Sequence, residues 1–74
     1  MSKKKNIFDK NTIIKLFNDS KFNKISKYSK VIIDEYEMDI DICKLVVVSE
    51  INLKNYFKAE KYLKKYLLFI ILTN

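Results

Sequence analysis

The sequence predicts a small single domain of the α+β or α/β class, with two to three helices and a two- to three-stranded sheet. Three patterns support this prediction: acidic and apolar residues alternate from residue 35, an amphipathic helical pattern follows residue 50, and the ending has a strand-like composition. The chain has 74 residues, of which 49% are hydrophobic, so it suits one folded domain better than a disordered tail. We assign residues 9–74 to this domain and residues 1–8 to a flexible basic arm.

The first predicted element is a helix that begins beside a capping side chain. Asp9 or Asn11 can accept a hydrogen bond from a free backbone N–H group of the first turn. We expect the helix to end near Asp19 or Ser20. The apolar residues that share one broad arc of this helix are Ile13, Ile14, Leu16 and Phe17.

Residues 24–36 are compatible with two structures. Apolar residues recur there at steps of three and four, which is helical, whereas the sequence KVII alone fits a strand equally well. A hairpin between strands at 30–36 and 38–48 would need a Gly-containing turn, and the chain has no Gly. We therefore favour a helix to about Tyr36, with the hairpin as the alternative.

The segment EYEMDIDICKLVVVSE, residues 35–50, predicts a long strand. Its first half alternates acids with apolar residues, which places the acids on one face of a half-buried strand. Its second half is apolar in both phases apart from Lys44, so we expect it to be covered on both faces. The four acids, called the acidic series below, are Glu35, Glu37, Asp39 and Asp41.

A helix is predicted to follow, with Ser49 as its cap and Glu50 in its first turn. Apolar residues fill one arc of it, and lysines at spacings of four, three and four occupy another. These lysines, called the lysine stripe below, are Lys54, Lys58, Lys61 and Lys65.

The ending YLLFIILTN has no polar phase. It is therefore either a final buried strand or a segment that inserts into a partner subunit, and its β-propensity favours the strand. A sheet of two or three strands has exposed edges that invite a second copy. For this reason we expect a homo-oligomer, a homodimer at least.

The residue types that are absent exclude several functions. The chain has no Gly, Pro, His, Arg, Trp or Gln. A Ser-His or Cys-His catalytic pair and a Gly-rich phosphate loop are therefore excluded, and the single Cys43 can form neither an internal disulfide nor a Cys-rich zinc site. We expect a protein that is not an enzyme, has no cofactor and keeps Cys43 as an inert apolar residue.

The distribution of charge predicts binding to a macromolecule. Residues 1–33 and 51–74 are basic, residues 34–50 are acidic, and the net charge is +6. The first hypothesis is that the acidic series binds a protein partner. Because the commonest residues have A/T-rich codons, we consider a phage or mobile-element inhibitor of a host nucleic-acid-handling protein.

Two alternative functions stay open. The lysine stripe, with Tyr62 at its margin, could follow the phosphates of a nucleic acid, although Lys lacks the bidentate base recognition of Arg. Asp39 and Asp41 on one strand face could hold Mg²⁺ in a nuclease. For each group the plain interpretation is a solvated polar surface.

Targeting signals are weak. The start MSKKKNIFDKN has a charged region with no apolar region behind it, and the run YLLFIIL is shorter than the roughly 20 residues that span a bilayer. We therefore expect a cytoplasmic protein with no membrane contact, in the host cell of a virus or phage under the inhibitor hypothesis.

Overall fold

The chain folds into five α-helices in the computed structural model, which describes residues 9–73. Within that range there is no strand, so the predicted sheet and the α+β or α/β class are wrong. The predicted arm, residues 1–8, lies outside the described residues. The helices are α1 Lys10–Asn18, α2 Phe22–Lys27, α3 Ser29–Glu35, α4 Ile40–Asn52 and α5 Tyr56–Thr73.

Helix α4 lies at the centre of the fold, because it contacts each of the other four helices. Its buried residues lie on one broad side of the helix, and the opposite side is exposed. That exposed side carries the apolar residues Val48 and Ile51 as well as Lys44, which is why the run ICKLVVV has no clear polar face. The prediction of a strand here is wrong because a short apolar run does not distinguish a covered strand from a buried helix.

The hydrophobic core takes residues from all five helices. Ile13 of α1, Ile25 of α2 and Ile42 of α4 have no exposed surface. Helix α5 contributes Ala59 and Tyr62, both from its first half. The remaining core residues are Ile32, Ile33, Cys43, Val46 and Val47.

The side-chain carboxylates of Asp9 and Asp39 cap the N-termini of α1 and α4. Asp9 Oδ1 accepts a hydrogen bond from the Thr12 backbone N at 2.8 Å, which confirms one of the two predicted caps. Asp39 Oδ1 accepts one from the Ile42 backbone N at 3.1 Å. The second cap explains the failed strand prediction, because it starts a helix in the middle of the acidic series.

The prediction that residues 24–36 are helical is confirmed, and the hairpin alternative is wrong. The structure has two helices there, because Tyr28 separates α2 from α3. The helix start predicted at Ser49 is also wrong. Ser49 lies inside α4, where its Oγ donates to the Leu45 carbonyl oxygen at 2.9 Å. The final strand is absent because α5 continues through the apolar ending to Thr73.

Helices α1 and α4 end in the same way, in Schellman motifs that have no glycine. Ser20 and Lys54 take left-handed backbone conformations, with φ of 60° and 64°. After α4, the Asn55 N donates to the Glu50 carbonyl oxygen at 2.8 Å, and the Lys54 N donates to the Ile51 carbonyl oxygen at 2.9 Å. A side chain at such a position costs free energy that glycine would not.

Candidate functional site

The acidic series does not form a face in the structure. Glu35 ends α3, Glu37 lies in the following turn, Asp39 caps α4 and Asp41 lies in the first turn of α4. The prediction of an acidic strand face is therefore wrong. Three of the four side chains are exposed, and the half-buried exception is Asp39.

Asp39 is already engaged by the protein's own groups. Its Oδ2 lies 2.9 Å from the Lys10 Nζ, so the carboxylate ties α1 to the start of α4. The hydrogen bond from Lys10 lowers the pKa of Asp39 below its ordinary value; burial opposes this effect, and the Ile42 N–H supports it. Within residues 9–73, no three His, Cys, Asp or Glu side chains lie together in a way that could hold a metal ion.

The lysine stripe is divided by the fold. Lys54 lies in the turn before α5, and only the other three lysines are on the helix. Lys65 Nζ lies 3.0 Å from Asp34 Oδ1, and Lys58 is held by a buried carboxylate. Within the described part of the chain, Lys61 is the member on α5 that has no ion pair. Binding of nucleic acid by the stripe stays a prediction, with fewer free ammonium groups than the spacing indicated.

Tyr62 belongs to the core and not to the margin of a binding surface. It is 6% exposed, and its hydroxyl lies 2.8 Å from Ser29 Oγ in a buried hydrogen bond. Stacking of this ring on a base would require it to leave the core.

Glu50 is the buried carboxylate that holds Lys58. Its side chain has no exposed surface, and its Oε1 accepts hydrogen bonds from Ser26 Oγ at 2.8 Å and from Asn55 Nδ2 at 2.9 Å. Lys58 Nζ lies 3.3 Å from Oε2, which accepts no well-aligned hydrogen bond from the described residues. Burial, the largest single influence, raises the pKa of Glu50, but the Asn55 and Ser26 hydrogen bonds and the Lys58 charge together lower it below its ordinary value.

Ser26, Glu50, Asn55 and Lys58 are called the Glu50 cluster below. Their side chains join α2 and α4 to the start of α5, and this fixes the position of the first turn of α5. No local sequence pattern indicates this cluster. The sequence predicts Glu50 as an acid in the first turn of a helix, and nothing near it shows that Ser26 of α2 supplies a hydroxyl donor. The cluster is a structural element that holds the start of α5 against α2 and α4.

The second half of α5 exposes a contiguous apolar surface. No charged residue follows Lys65 in the sequence. Large contiguous apolar surfaces on small proteins mark interaction sites, whereas scattered exposed apolar residues do not. The α5 apolar surface is defined by Leu67, Leu68, Ile71 and Leu72, which are 45%, 56%, 70% and 74% exposed.

A pocket of about 210 Å³ opens beside the α5 apolar surface. Leu68 and Leu72 belong to both, so the pocket and the surface are continuous. Cys43 lines the pocket as a buried free thiol; burial raises its pKa, so it stays protonated at neutral pH. The other lining residues are Ile33, Glu37, Tyr62, Lys65 and Tyr66.

The described residues define the class of the protein as an all-helical domain in which the last turns of α5 expose an apolar surface to solvent or to parts of the chain outside residues 9–73. Comparisons with protein-family models, with curated proteins and with solved structures find no match to this chain. None of the helices in residues 9–73 combines the length and the apolar character needed to cross a membrane.

Proposed function

We propose that the chain is a non-catalytic binding protein that contacts a partner protein through the α5 apolar surface and the adjoining pocket. The observation that supports this is the change along α5. Tyr56 and Phe57 are also exposed at the start of α5, but the first half supplies Ala59 and Tyr62 to the core. The second half leaves four large aliphatic side chains in water. Removal of apolar surface from water contributes about 25 cal/mol per Å², so covering these side chains favours association.

The geometry favours an amphipathic helix as the contacting part of the partner. Leu67 and Ile71 are four residues apart, as are Leu68 and Leu72, so the exposed side chains form two adjacent rows that suit helix-to-helix packing. The pocket, at about 210 Å³, exceeds the ~150 Å³ of a cavity that admits benzene. It can therefore take one leucine or phenylalanine side chain of the partner.

Charge beside the surface indicates which residues should flank the partner's apolar positions. Lys61 and Lys64 lie on the exposed side of α5, one to two turns before the α5 apolar surface. Opposite charges across an interface speed association and exclude partners with like charges. The partner helix is therefore expected to carry acidic residues at the edge of its apolar face.

This proposal keeps the function predicted from the sequence, non-catalytic binding to a protein, but assigns the contact to the α5 apolar surface instead of the acidic series. The acidic series cannot provide the contact in the way first expected, because it does not lie on a strand face. The narrower hypothesis, a phage or mobile-element inhibitor of a host nucleic-acid-handling protein, rests on composition and stays a prediction.

The test compares two lysine substitutions on the same helix. Ile71→Lys places a charge in the α5 apolar surface, and Phe57→Lys places the same charge at an 82% exposed site near the other end of α5. A partner captured from the source cell and then purified should bind the first variant at least about tenfold more weakly and the second within about twofold of the original chain. Isothermal titration measures both affinities, after circular dichroism has shown that both variants fold. Equal affinities for the two variants would contradict the proposal.

A further inference from the structure

The described part of the chain begins beside the last turns of α5. Lys10 Nζ lies 2.9 Å from Asp39 Oδ2, so the start of α1 is held at the start of α4. Residues 53–55 connect α4 to α5, and the two helices pack side by side as an antiparallel pair. The start of α4 therefore lies next to the end of α5, which agrees with the presence of Cys43 and Leu72 in the same pocket.

Tyr36 gives a second indication of where the described chain begins. Burial and the adjacent Glu35 carboxylate raise the pKa of the Tyr36 hydroxyl, and the Asp9 carboxylate adds to this effect, so Asp9 lies near the ring. The next residue after Tyr36, Glu37, lines the pocket. Asp9, the first described residue, thus lies close to the turn that forms one wall of the pocket.

Eight residues precede Asp9, and they are long enough to reach across the pocket. Glu37 is two residues from Asp39, so their Cα atoms are at most ~7.6 Å apart. A segment of eight residues spans up to about 29 Å when it is extended. The pocket therefore lies within reach of the N-terminal segment, residues 1–8.

The sequence of the N-terminal segment, MSKKKNIF, combines three lysines with an apolar pair next to the described chain. Phe8 directly precedes the cap of α1, a position from which an apolar side chain commonly packs against the fourth residue of the helix. Ile7 is then the neighbouring apolar side chain that suits the pocket, whose volume of about 210 Å³ accommodates it. Leu68 and Leu72, on the pocket wall, would be its contacts.

The charge at the rim of the pocket is complementary to the lysines of the N-terminal segment. Glu37 is exposed and forms no ion pair with the described residues. Lys65, which also lines the pocket, is already paired with Asp34 at 3.0 Å, so its charge is offset. A lysine of the segment would meet an unpaired carboxylate there. Because exposed ion pairs stabilise little, the apolar contact has to supply most of the free energy.

We propose that residues 1–8 fold back across the pocket, with Ile7 against Leu68 and Leu72 and the lysines beside Glu37. This inference rests on the proposed function, because it concerns the regulation of the same surface. A partner helix has to displace the N-terminal segment before one of its side chains enters the pocket. The apparent affinity for the partner is then reduced by the fraction of molecules in which the pocket is open.

Nuclear Overhauser effects between methyl groups test the contact directly. The Ile7 methyl groups should show such effects to Leu68 or Leu72, unchanged from about 20 to about 500 µM, since the contact is within one molecule and weak interfaces form in this range. Ile7→Asp should remove the contact and shift the signals of both leucines. Asn6→Asp adds the same charge one residue away and should leave them in place. Effects that are absent, or that grow with concentration as for a second copy, would overturn the proposal.

Alkylation of Cys43 by N-ethylmaleimide measures how often the pocket is open, because this single cysteine lines it. Ile7→Asp should raise the rate at least about fivefold and Asn6→Asp less than about twofold, since only the first removes an apolar contact. Urea denaturation of the same samples separates opening of the pocket from unfolding of the domain. Equal rates for the two variants at equal stability would contradict the proposal.

The predicted charge contact has its own test. Lys4→Glu combined with Lys5→Glu should raise the rate of Cys43 alkylation, because both new carboxylates face Glu37. Adding Glu37→Lys to that variant should return the rate toward that of the unmodified chain, since opposite charges face each other again. Glu37 is exposed, so its substitution is expected to leave the fold unchanged. If Glu37→Lys does not slow alkylation in that variant, the segment does not lie beside Glu37.

The two proposals fail in different ways. If Ile7 does not contact α5, but Ile71→Lys still loses binding to a purified partner, only the N-terminal proposal is overturned. If Ile7 contacts Leu68 and Leu72, but Ile71→Lys binds the partner unchanged, only the proposed function is overturned. When both are correct, Ile7→Asp should bind the partner about fivefold more tightly than the unmodified chain. Unchanged affinity of Ile7→Asp would show that the segment does not regulate the surface.

Discussion

The ammonium group of Lys58 lies 3.3 Å from a carboxylate oxygen of Glu50, and the Glu50 side chain has no exposed surface. The same ammonium donates to Ser26 Oγ at 3.1 Å and to the Ser26 carbonyl oxygen at 3.2 Å. One lysine thus connects α5 to both α2 and α4. The contact holds the first turn of α5 against the other two helices.

Replacing Glu50 by Gln should lower the free energy of unfolding by about 2 kcal/mol, because the amide cannot neutralise Lys58 and cannot accept every hydrogen bond in the same geometry. Urea denaturation measures the change. Glu60→Gln, at an exposed position of α5, is the control and should alter stability by less than about 0.5 kcal/mol. Equal effects at the two positions would show that the buried cluster does not stabilise the fold.

Acid should weaken the fold through the same carboxylate. In the folded state the pKa of Glu50 lies below its ordinary value of 4.5, and that of Asp39 lies below 3.8. The folded chain therefore binds fewer protons than the unfolded chain in this pH range. The stability that the two carboxylates contribute is complete above about pH 4.5 and is lost as the pH falls through their lowered pKa values. Urea midpoints from pH 7 downward measure the loss. Glu50→Gln should show a shallower decline below pH 4.5, and an unchanged slope would refute the assignment.

The left-handed conformation of Lys54 predicts a stabilising substitution. Lys54→Gly should raise the free energy of unfolding by about 0.5 to 1 kcal/mol, since glycine adopts φ near 64° without the steric cost of a side chain. Lys54→Ala is the matched control, because it removes the ammonium group and keeps the steric cost. Thermal and urea denaturation compare the two variants. If alanine stabilises as much as glycine, the backbone conformation is not the cause.

The paired hydroxyls of Ser29 and Tyr62 should be energetically coupled. Ser29→Ala or Tyr62→Phe leaves one buried hydroxyl without its partner 2.8 Å away, at a cost of about 1 to 2 kcal/mol. The double variant removes both groups and should cost less than the sum of the single changes. Urea denaturation of the four proteins gives the coupling energy. Strict additivity would mean that the two hydroxyls do not interact in solution.

Two substitutions of Asp39 should distinguish how much its helix cap and its ion pair with Lys10 each contribute to the free energy of unfolding. Asp39→Asn keeps an oxygen that can accept from the Ile42 N–H and loses the charge that faces Lys10, whereas Asp39→Ala loses both. We expect the alanine variant to lose about 1 kcal/mol, and the asparagine variant less, because exposed ion pairs contribute little. Urea denaturation distinguishes them. The reverse order would indicate that the ion pair dominates.

Local signals in the sequence predicted the first part of the fold. The Asp9 cap and the end of α1 near Asp19 were identifiable because both depend on residues close together in the chain. The predicted fold class is wrong chiefly because residues 36–48 form most of a helix and not a strand. Acids alternate with apolar residues there as in a half-buried strand, but Asp39 caps the N-terminus of α4. The packing of one side of α4 against four other helices is a tertiary property that periodicity does not report.

The candidate site was only partly predictable. The apolar ending from Tyr66 was recognised as either a strand or a segment that enters a partner, and the first choice is wrong. The helical spacing places Tyr62 between the lysine stripe and the apolar arc, which predicts the edge of a surface. That prediction is wrong because Tyr62 is buried with its hydroxyl bonded to Ser29, which is 33 residues away in the sequence. The expected homo-oligomer depended on sheet edges that the described residues lack, so that argument for it fails and the oligomeric state stays a prediction.

The central position of α4 has a consequence for how the domain opens. The buried side of α4 packs against four other helices, so amide hydrogens on that side reach solvent only when those neighbours separate, and the amides of Val46 and Val47 should exchange by global unfolding. Helix α1 lies at the periphery and should fray first. Native-state hydrogen exchange would then show one slow cooperative unit, built on α4, with the remaining helices detaching from it at lower energies.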